Sequence, residues 1–261
     1  MTNIVVLVKQ VPDTYSERKL NGSDNTLDRE FADAVLDEIN EKAVEEALKI
    51  KEAGEGEVTV ISVGPDRATD AIRKALSMGA DKAIHVSDEA LHGSDAIATA
   101  KVLAAAIGKV EGFDLVIAGN ESSDGRGGAI PAILAELLGL PQVTYVREVT
   151  VDGSTIKATR ETEDGLTHLE ASLPAIVSVG EKINEPRYPS FKGIMAAKKK
   201  PVETFTIADL GIDAGEVGLA NAWSQVTESA PKPPRTAGEK VEDEGDGGTK
   251  VAEYLVGQKL I

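Results

Sequence analysis

The stretch FDLVIAGNESSDGRGGAIPAILAELL, from Phe113 to Leu138, decides the fold class. Its apolar run from Phe113 to Ala118 predicts a strand that is buried on both faces. A glycine-rich loop from Gly119 to Gly128 follows, and the apolar spacing beyond it predicts a helix from Ala129 to Leu138. A strand that passes through a short loop into a helix is the repeating unit of parallel α/β folds.

The chain before this stretch repeats the same alternation with short connections. The predicted strands are Asn3–Val8, Glu57–Val63 and Lys82–Val86, and the predicted helices are Ala32–Gly54, Asp66–Met78 and Ser94–Ile107. Ser94 or Asp95 is the expected cap of the last helix. The pattern predicts an α/β fold whose sheet is mostly parallel and doubly wound, with helices on both faces.

The chain after Pro141 changes pattern. Residues alternate between apolar and polar in the runs Gln142–Val151, Thr155–Thr162 and Leu166–Leu173, with Asp-Gly pairs between them. Asp-Gly between alternating runs is a strong hairpin signal, so we expect an antiparallel extension of the sheet. Ala175–Val179 closes the series as a buried strand.

The segment NEPRYPSFKGIMAAKKKP, residues 184–201, contains two prolines and a glycine, which argue against a helix or a strand. It also carries a set of large apolar side chains beside a basic run: Tyr188, Phe191, Ile194 and Met195, then Lys198, Lys199 and Lys200. This combination on an acidic chain is typical of a loop that a partner binds. The alternative is a surface crossing whose apolar side chains fold back onto their own core.

The remainder of the chain from about Glu181 is expected to be largely extended. A proline-rich, acidic stretch from Pro231 predicts a flexible arm. The arm ends in a short amphipathic helix over Lys250–Ile261, which would pack on the body of this chain or on a partner.

Composition excludes several function classes. The 261 residues carry a formal net charge of -16, which disfavours nucleic acid and anionic membrane surfaces as partners. Because the chain has no cysteine, disulfides, thiolate nucleophiles, cysteine-ligated zinc and iron–sulfur clusters are excluded together. The N-terminal stretch MTNIVVLVKQ does not have the pattern of a secretory signal peptide. No apolar run approaches the ~20 residues that a membrane span requires. We expect a cytoplasmic protein without membrane insertion.

The chemistry-bearing residues do not form a catalytic pattern. His85, His92 and His168 are scattered without the spacing of metal ligands, and no nucleophile elbow accompanies them. We therefore expect no metal site and no catalytic residue. The pattern favours a binding or carrier subunit over a stand-alone enzyme.

The glycine-rich loop from Gly119 to Gly128 is the candidate ligand site. It follows the carboxyl end of a parallel strand and runs into a helix N-terminus, where backbone N–H groups bind phosphate. Arg126 would add a charged contact. The alternative is a mobile polar surface loop. The loop matches neither the dinucleotide fingerprint GxGxxG nor the Walker A motif.

Seven separate stretches of the chain form a set of motifs in a fixed order: LVKQVPD from Leu7, NEKAVEEALKIKE from Asn40, VISVGP from Val60, AIRKALSMGADKAIHV from Ala71, ATRETEDGLTHLEASLPAIVSV from Ala158, the NEPRY, IM and KKK groups of residues 184–200, and PPRTAGEKVE from Pro233. In sequence and in order, these motifs resemble those of the electron transfer flavoprotein beta subunits, within the adenine nucleotide alpha hydrolase-like superfamily.

The resemblance implies a heterodimer with an alpha subunit that holds one FAD. The pair would carry electrons from flavin dehydrogenases, such as acyl-CoA dehydrogenases in fatty acid β-oxidation, to a membrane-linked quinone-reducing acceptor. It also implies three parts: an α/β nucleotide-binding domain over 1–183, a partner-recognition loop over 184–201, and a C-terminal arm over 202–261 that packs on the partner subunit.

The resemblance implies two cofactor contacts. A structural AMP would be held by Leu7, Asp37, Glu38, Ile39, Asn40, Val63, Gly119, Asn120, Glu121, Ser122, Ser123, Asp124, Gly125, Arg126, Gly127, Gly128, Ala129 and Ile130. The edge of the FAD would be met by Thr14 or Tyr15, between which the sequence does not choose. Docking of the dehydrogenase would use Tyr188, Phe191, Ile194 and Met195.

The chain departs from the family at one point of this loop. The polar run that usually precedes the helix is replaced by Gly128-Ala129-Ile130-Pro131, which removes side-chain contacts to a phosphate and counts against a second FAD. Two alternatives stay open at this stage. One is a stress-type adenine nucleotide binder that works without a flavin partner, and the other is a nucleotide-hydrolysing relative.

Overall fold

The computed structural model describes residues 2–235, 237–238 and 240–261, so Thr236 and Glu239 of the predicted arm lie outside the described residues. Strands are β1 Ile4–Leu7, β2 Gln10–Pro12, β3 Ala34–Leu36, β4 Val58–Val63, β5 Lys82–Val86, β6 Leu115–Gly119, β7 Gln142–Asp152, β8 Thr155–Thr162, β9 Gly165–Ser172, β10 Ala175–Val179 and β11 Val202–Phe205. Helices are α1 Glu38–Ala53, α2 Thr69–Met78, α3 Ala96–Ile107, α4 Ile130–Leu138, α5 Phe191–Ala197 and α6 Gly247–Gly257.

The main sheet has the order β11-β5-β4-β1-β6-β10-β7-β8-β9. Strands from β11 to β7 pair in parallel, and β7, β8 and β9 pair antiparallel. The predicted α/β class, with a mostly parallel sheet and an antiparallel hairpin extension, is confirmed. β2 and β3 form a separate antiparallel pair.

Two apolar layers cover the faces of this sheet. Ile4 and Val6 of β1 face a layer that includes Val44 and Leu48 of α1 and residues of α2. Val5 and Leu7 of the same strand face the opposite layer, which contains residues of α3 and α4. The alternation of side chains along a strand thus places α1 and α2 on one face and α3 and α4 on the other.

Helix α1 begins later than the sequence predicted. The helix was expected from Ala32, but Ala34–Leu36 is a strand paired with Gln10–Pro12. Asp37 caps the helix, because its Oδ1 accepts hydrogen bonds from the amides of Ile39 at 3.0 Å and Asn40 at 3.1 Å. Asp95, and not Ser94, caps α3.

The segment 184–201 contains a helix, and the expectation of neither helix nor strand was wrong. Ser190 caps α5 by accepting a hydrogen bond from the amide of Gly193 at 3.0 Å. Both prolines precede the helix, so they do not interrupt it. Because α5 is helical, the chain after Glu181 is less extended than predicted. A short strand, β11, then joins the edge of the sheet beside β5.

The chain divides into two compact units, Met1–Thr227 and Glu228–Ile261. The first contains both sheets and helices α1 to α5. In the second, the described residues form irregular chain and α6, on which Val251, Tyr254 and Val256 are exposed. Among the described residues, no helix combines the length and the apolar character required to cross a bilayer.

Candidate functional site

The direction of sheet winding reverses beside β1, and the carboxyl ends of β1 and β6 define a candidate crevice there. β1 lies between β4 and β6, and the chain leaves β1 toward α1 on one face and leaves β6 toward α4 on the other. In open α/β sheets, ligands bind at the carboxyl ends of the strands beside such a point. Leu7, Val63 and Gly119 are the last residues of β1, β4 and β6, so the structure brings these three predicted residues to one edge.

The N-terminus of α1 forms one wall of this crevice. Asp37 is fully buried, and its second carboxylate oxygen accepts a hydrogen bond from the amide of Ser123 at 2.7 Å. Asn40 is also buried, and its Oδ1 accepts from the amide of Lys9 at 2.7 Å. Asp37 and Asn40 therefore join α1 to the ends of β6 and β1. Ile39 is buried and Glu38 is exposed.

Gly119 permits the close approach of these elements. A Cβ atom at this position would lie 2.6 Å from Nδ2 of Asn40 and 3.0 Å from the side chain of Ile39. The first distance is too short for any side chain and the second is tight, so a side chain here would displace the Asn40 amide and press on Ile39.

The loop after β6 contains two buried polar atoms without a hydrogen-bond partner in the described residues. They are Oδ1 of Asn120 and Oγ of Ser123. A buried polar atom normally has a partner, and one that lacks a protein partner marks a position that a bound group can satisfy. These two atoms fit a polar ligand at the carboxyl edge of β6.

The same loop ends at the open N-terminus of α4. Ala129 precedes the helix and provides no side-chain cap, and Pro131 occupies the first turn. Residues 125–128 are exposed, and Arg126 and Gly128 have positive φ angles of 47° and 63°. The first turn of a helix presents N–H groups and partial positive charge to an anion.

Three other residues that the sequence assigned to the nucleotide, Glu121, Ala129 and Ile130, are half-buried.

A buried carboxylate and two cations lie between β1 and the loop. Nζ of Lys9 is 2.9 Å from the carboxylate of Asp124 and 3.3 Å from Oγ of Ser122. Arg29 approaches the same carboxylate at 3.3 Å. Burial alone would raise the pKa of Asp124, but the Lys9 charge and the hydrogen bonds from Ser122 and Lys9 outweigh it and lower this pKa to about 2. Desolvation lowers the pKa of Lys9, against the attraction of Asp124.

The sequence analysis missed Lys9 and Arg29. Lys9 follows β1 almost directly, so its place at the carboxyl end of a central strand was a signal that could have found it. Arg29 lies in an irregular segment between β2 and β3, and no local pattern connects it to Asp124.

The two candidates for the flavin edge lie on the turn after β2, not directly after β1. Thr14 is exposed, and Tyr15 is 96% exposed. Oδ1 of Asp13 accepts a hydrogen bond from the amide of Tyr15 at 2.8 Å, which fixes the backbone of the turn. The turn therefore presents an aromatic ring to solvent on an ordered backbone.

The predicted docking side chains are exposed on and beside α5. Tyr188 is 96% and Phe191 80% exposed, and Ile194 and Met195 are about half exposed. Lys198 and Lys199 are exposed as expected. Lys200 differs from these two lysines, because its Nζ donates hydrogen bonds to the carbonyls of Leu76, at 2.9 Å, and Ala80.

Comparison with known proteins decides the family. Residues 24–210 match the model of the Electron transfer flavoprotein domain family. An electron transfer flavoprotein subunit beta from Mycobacterium tuberculosis is 65% identical over the full length of both chains. The chain belongs to the electron transfer flavoprotein beta subunits. The resemblance stated from the motifs is confirmed.

More distant electron transfer flavoprotein relatives match over nearly as much of the chain. An electron transfer flavoprotein subunit beta from Thermoanaerobacterium thermosaccharolyticum is 41% identical, with 91% of each chain covered. The caffeyl-CoA reductase-Etf complex subunit CarD from Acetobacterium woodii is 37% identical, again with 91% of each chain covered.

Proposed function

We propose that this chain is the beta half of a heterodimeric electron carrier. Its alpha subunit would hold one FAD, and the pair would carry electrons from flavin dehydrogenases, such as acyl-CoA dehydrogenases, to a membrane-linked quinone-reducing acceptor. The observation that carries the proposal is the 65% identity over the full length of a beta subunit. In this proposal the chain has no catalytic centre of its own, and it works in the cytoplasm.

The crevice at the switch point is proposed to hold a structural AMP. The unpartnered atoms of Asn120 and Ser123 and the uncapped N-terminus of α4 fit the polar groups of a nucleotide. Backbone amides of residues 125–128 would meet the phosphate, since this chain lacks the family's polar run there. A ligand that binds only the folded chain stabilises it by mass action, which is the role we assign to AMP.

The turn at Thr14 and Tyr15 is proposed to meet the edge of the FAD held by the alpha subunit. When bound, the flavin supplies the redox chemistry of the pair. Of the two residues, Tyr15 is favoured, because its ring is almost fully exposed on a turn whose backbone is fixed by Asp13. An exposed aromatic side chain with a hydroxyl group combines apolar area with a hydrogen-bonding group.

The segment around α5 is proposed to dock the dehydrogenase, with Phe191 as its anchor. A phenylalanine offers a large apolar area and has few rotatable bonds, and such anchors carry about 2 kcal/mol or more of an interface. Tyr188, Ile194 and Met195 extend the same apolar surface. The exposed apolar residues of α6, Val251, Tyr254 and Val256, are proposed to pack on the alpha subunit.

The test of this function is Phe191→Ala in the purified pair, assayed for electron transfer from an acyl-CoA dehydrogenase. Loss of about 2 kcal/mol of binding free energy corresponds to roughly a 30-fold weaker interaction. We therefore expect a large rise in the KM of the dehydrogenase for the pair as its electron acceptor, which is called the KM for the dehydrogenase below. Flavin content and folding should be unchanged, because the side chain is exposed. Leu166→Ala, which truncates another exposed apolar residue on β9, is the control. An unchanged KM in Phe191→Ala contradicts the docking role.

A further inference from the structure

The backbone of the segment around α5 is fixed at both ends, although its large apolar side chains are exposed. At the amino-terminal end, the segment lies against α1. Nδ2 of Asn184 donates to the carbonyl of Lys42 at 3.0 Å, and Nζ of Lys42 donates to the carbonyl of Asn184 at 2.7 Å. This reciprocal pair begins a series of contacts with the outer face of α1.

Arg187 makes the strongest of these contacts. Its Nε lies 2.7 Å from the Glu45 carboxylate, its Nη2 lies 3.0 Å from each of Glu45 and Glu52, and its backbone amide also donates to Glu45. The Glu45 side chain is only 8% exposed. The hydrogen bonds that Arg187 donates to the carboxylates of Glu52 and Glu45 raise the pKa of Arg187. A buried carboxylate is stable only when it is paired in this way, so the contact has a defined geometry.

At the carboxyl-terminal end, α5 and α2 cap one another. Nη1 of Arg73, from α2, donates to the carbonyls of Ala197 at 2.7 Å and Lys200 at 3.0 Å, just where α5 ends. Lys200 in turn donates to the carbonyls of Leu76 and Ala80 at the end of α2. Arg73 and Lys200 thus join the chain at the carboxyl-terminal ends of the two helices, through hydrogen bonds to carbonyl groups within and just beyond each helix.

The middle of α5 is in direct contact with α2. A Cβ atom at Gly193 would lie 2.4 Å from the carbonyl oxygen of Ser77. The backbone at Gly193 and the buried side chain of Ala197 therefore hold the helix on the body of the chain. The apolar side chains are left on the opposite, solvent-facing side.

We propose that Arg187 is a positioning residue for partner recognition. By holding the chain before α5 on α1, it keeps Tyr188 and Phe191 in the arrangement that a dehydrogenase binds. A surface that is ordered before binding loses less conformational freedom on association, so the affinity is higher for the same contacts. Arg187 itself touches α1 and not the docking partner in this proposal, which rests on the proposed docking function of Phe191.

The test uses the pair with its alpha subunit and measures electron transfer from a purified acyl-CoA dehydrogenase. Arg187→Met should raise KM for the dehydrogenase about fivefold, with kcat and flavin content unchanged. Arg187→Lys, which keeps the charge but not the forked geometry, should recover part of the loss. Lys101→Met removes an exposed ion pair with Glu216 and serves as the matched control, with no change expected.

Two further measurements separate positioning from general stability. Amide exchange of residues 188–197 should rise in Arg187→Met while exchange of α3 stays unchanged. If Arg187→Met alone does not fold, the double variant Arg187→Met with Glu45→Leu removes both charges and gives the same expectation.

The decisive comparison combines Arg187→Met with Phe191→Ala. If Arg187 acts by placing Phe191, the double variant should be hardly worse than Phe191→Ala alone. Three results would overturn the positioning role. They are additive effects of the two substitutions on KM, an unchanged KM in Arg187→Met, and a rise in KM that is matched by an equal loss of flavin. Failure of Phe191→Ala alone to affect KM would instead overturn the docking function itself, so the two failures are distinguishable.

Discussion

The Lys9 ammonium lies 2.9 Å from the buried carboxylate of Asp124, so an ion pair joins the end of β1 to the loop after β6. Arg29 adds a second cation to the same carboxylate. Asp124 therefore holds together the two strand ends that form the crevice. Its protonation state should affect both the stability of the chain and the shape of this site.

The first prediction concerns acid stability. The pKa of Asp124 is lowered from 3.8 to about 2 on folding. A carboxyl group whose pKa is lower in the folded chain than in the unfolded chain stabilises the fold fully at pH values above its unfolded pKa. This stabilisation is lost as the pH falls toward its folded pKa. The contribution is roughly 2 kcal/mol, and its loss falls between about pH 4 and pH 2.

Urea unfolding of Asp124→Asn at pH 7 and at pH 3 measures this contribution. The variant should be less stable than the natural chain at pH 7, and the difference should shrink toward pH 3. Asp152→Asn, which alters an exposed pair with Lys157, should change stability by less than about 1 kcal/mol at either pH. A difference for Asp124→Asn that does not depend on pH would contradict the prediction.

The second prediction concerns nucleotide binding. AMP at about 100 times its dissociation constant should stabilise the chain by about 2.7 kcal/mol, which corresponds to roughly 5–10 °C in Tm. GMP and inorganic phosphate are the controls, and they separate an adenine site from a simple anion site. No shift with AMP, or an equal shift with phosphate alone, would argue against the nucleotide site.

A variant at Ser123 sharpens this test. Because the Ser123 hydroxyl is buried and has no hydrogen-bond partner among the residues that the structure describes, Ser123→Ala should leave the nucleotide-free Tm unchanged or raise it slightly. The same change should reduce the shift that AMP produces. A lower Tm without nucleotide would show that the hydroxyl stabilises the chain by itself.

The third prediction concerns the contact between α5 and α2. Gly193→Ala would place a methyl group 2.4 Å from the Ser77 carbonyl oxygen, so one helix must move. We expect a loss of about 1–3 kcal/mol in unfolding free energy and weaker coupling to the dehydrogenase. Gly248→Ala, in the exposed helix α6 with no neighbour within 4 Å, is the control and should be neutral or slightly stabilising. Equal behaviour of the two variants would refute the close contact.

The fourth prediction concerns Tyr15. In the pair, Tyr15→Ala should change the flavin spectrum and the flavin potential, since the ring is 96% exposed on its turn. Stability of the chain should be unaffected, because the side chain makes little contact with the body. Thr14→Ala is the control. A spectrum and potential that stay unchanged in Tyr15→Ala remove this residue from the flavin site.

The parts of the fold that local patterns determine were predictable. Apolar and polar residues alternate along parts of β7, β8 and β9, and Asp-Gly pairs join these strands, so their antiparallel pairing follows from the sequence. The register shift between Val146 and Glu148 does not follow from it. The buried strands of the parallel sheet are continuous apolar runs and lie within two residues of the predicted bounds. In these elements, local preference and burial favour the same structure.

The parts that depend on distant contacts were not predictable. α5 contains a glycine and follows two prolines, and its stability comes from Arg73, Lys200 and the contact with Ser77, which lie far away in sequence. In the site, Asp37 was assigned only to the ligand, but its carboxylate also accepts hydrogen bonds from α1 and from Ser123. Such a structural role becomes visible only when the loop and the helix are placed together.

The most direct test of the central claim is the flavin content of this chain alone and of the pair formed with its alpha subunit. We expect the purified chain alone to hold no stoichiometric flavin and the co-expressed pair to hold one FAD, reduced by an acyl-CoA dehydrogenase. An isolated chain that binds flavin stoichiometrically and accepts electrons by itself would contradict the account.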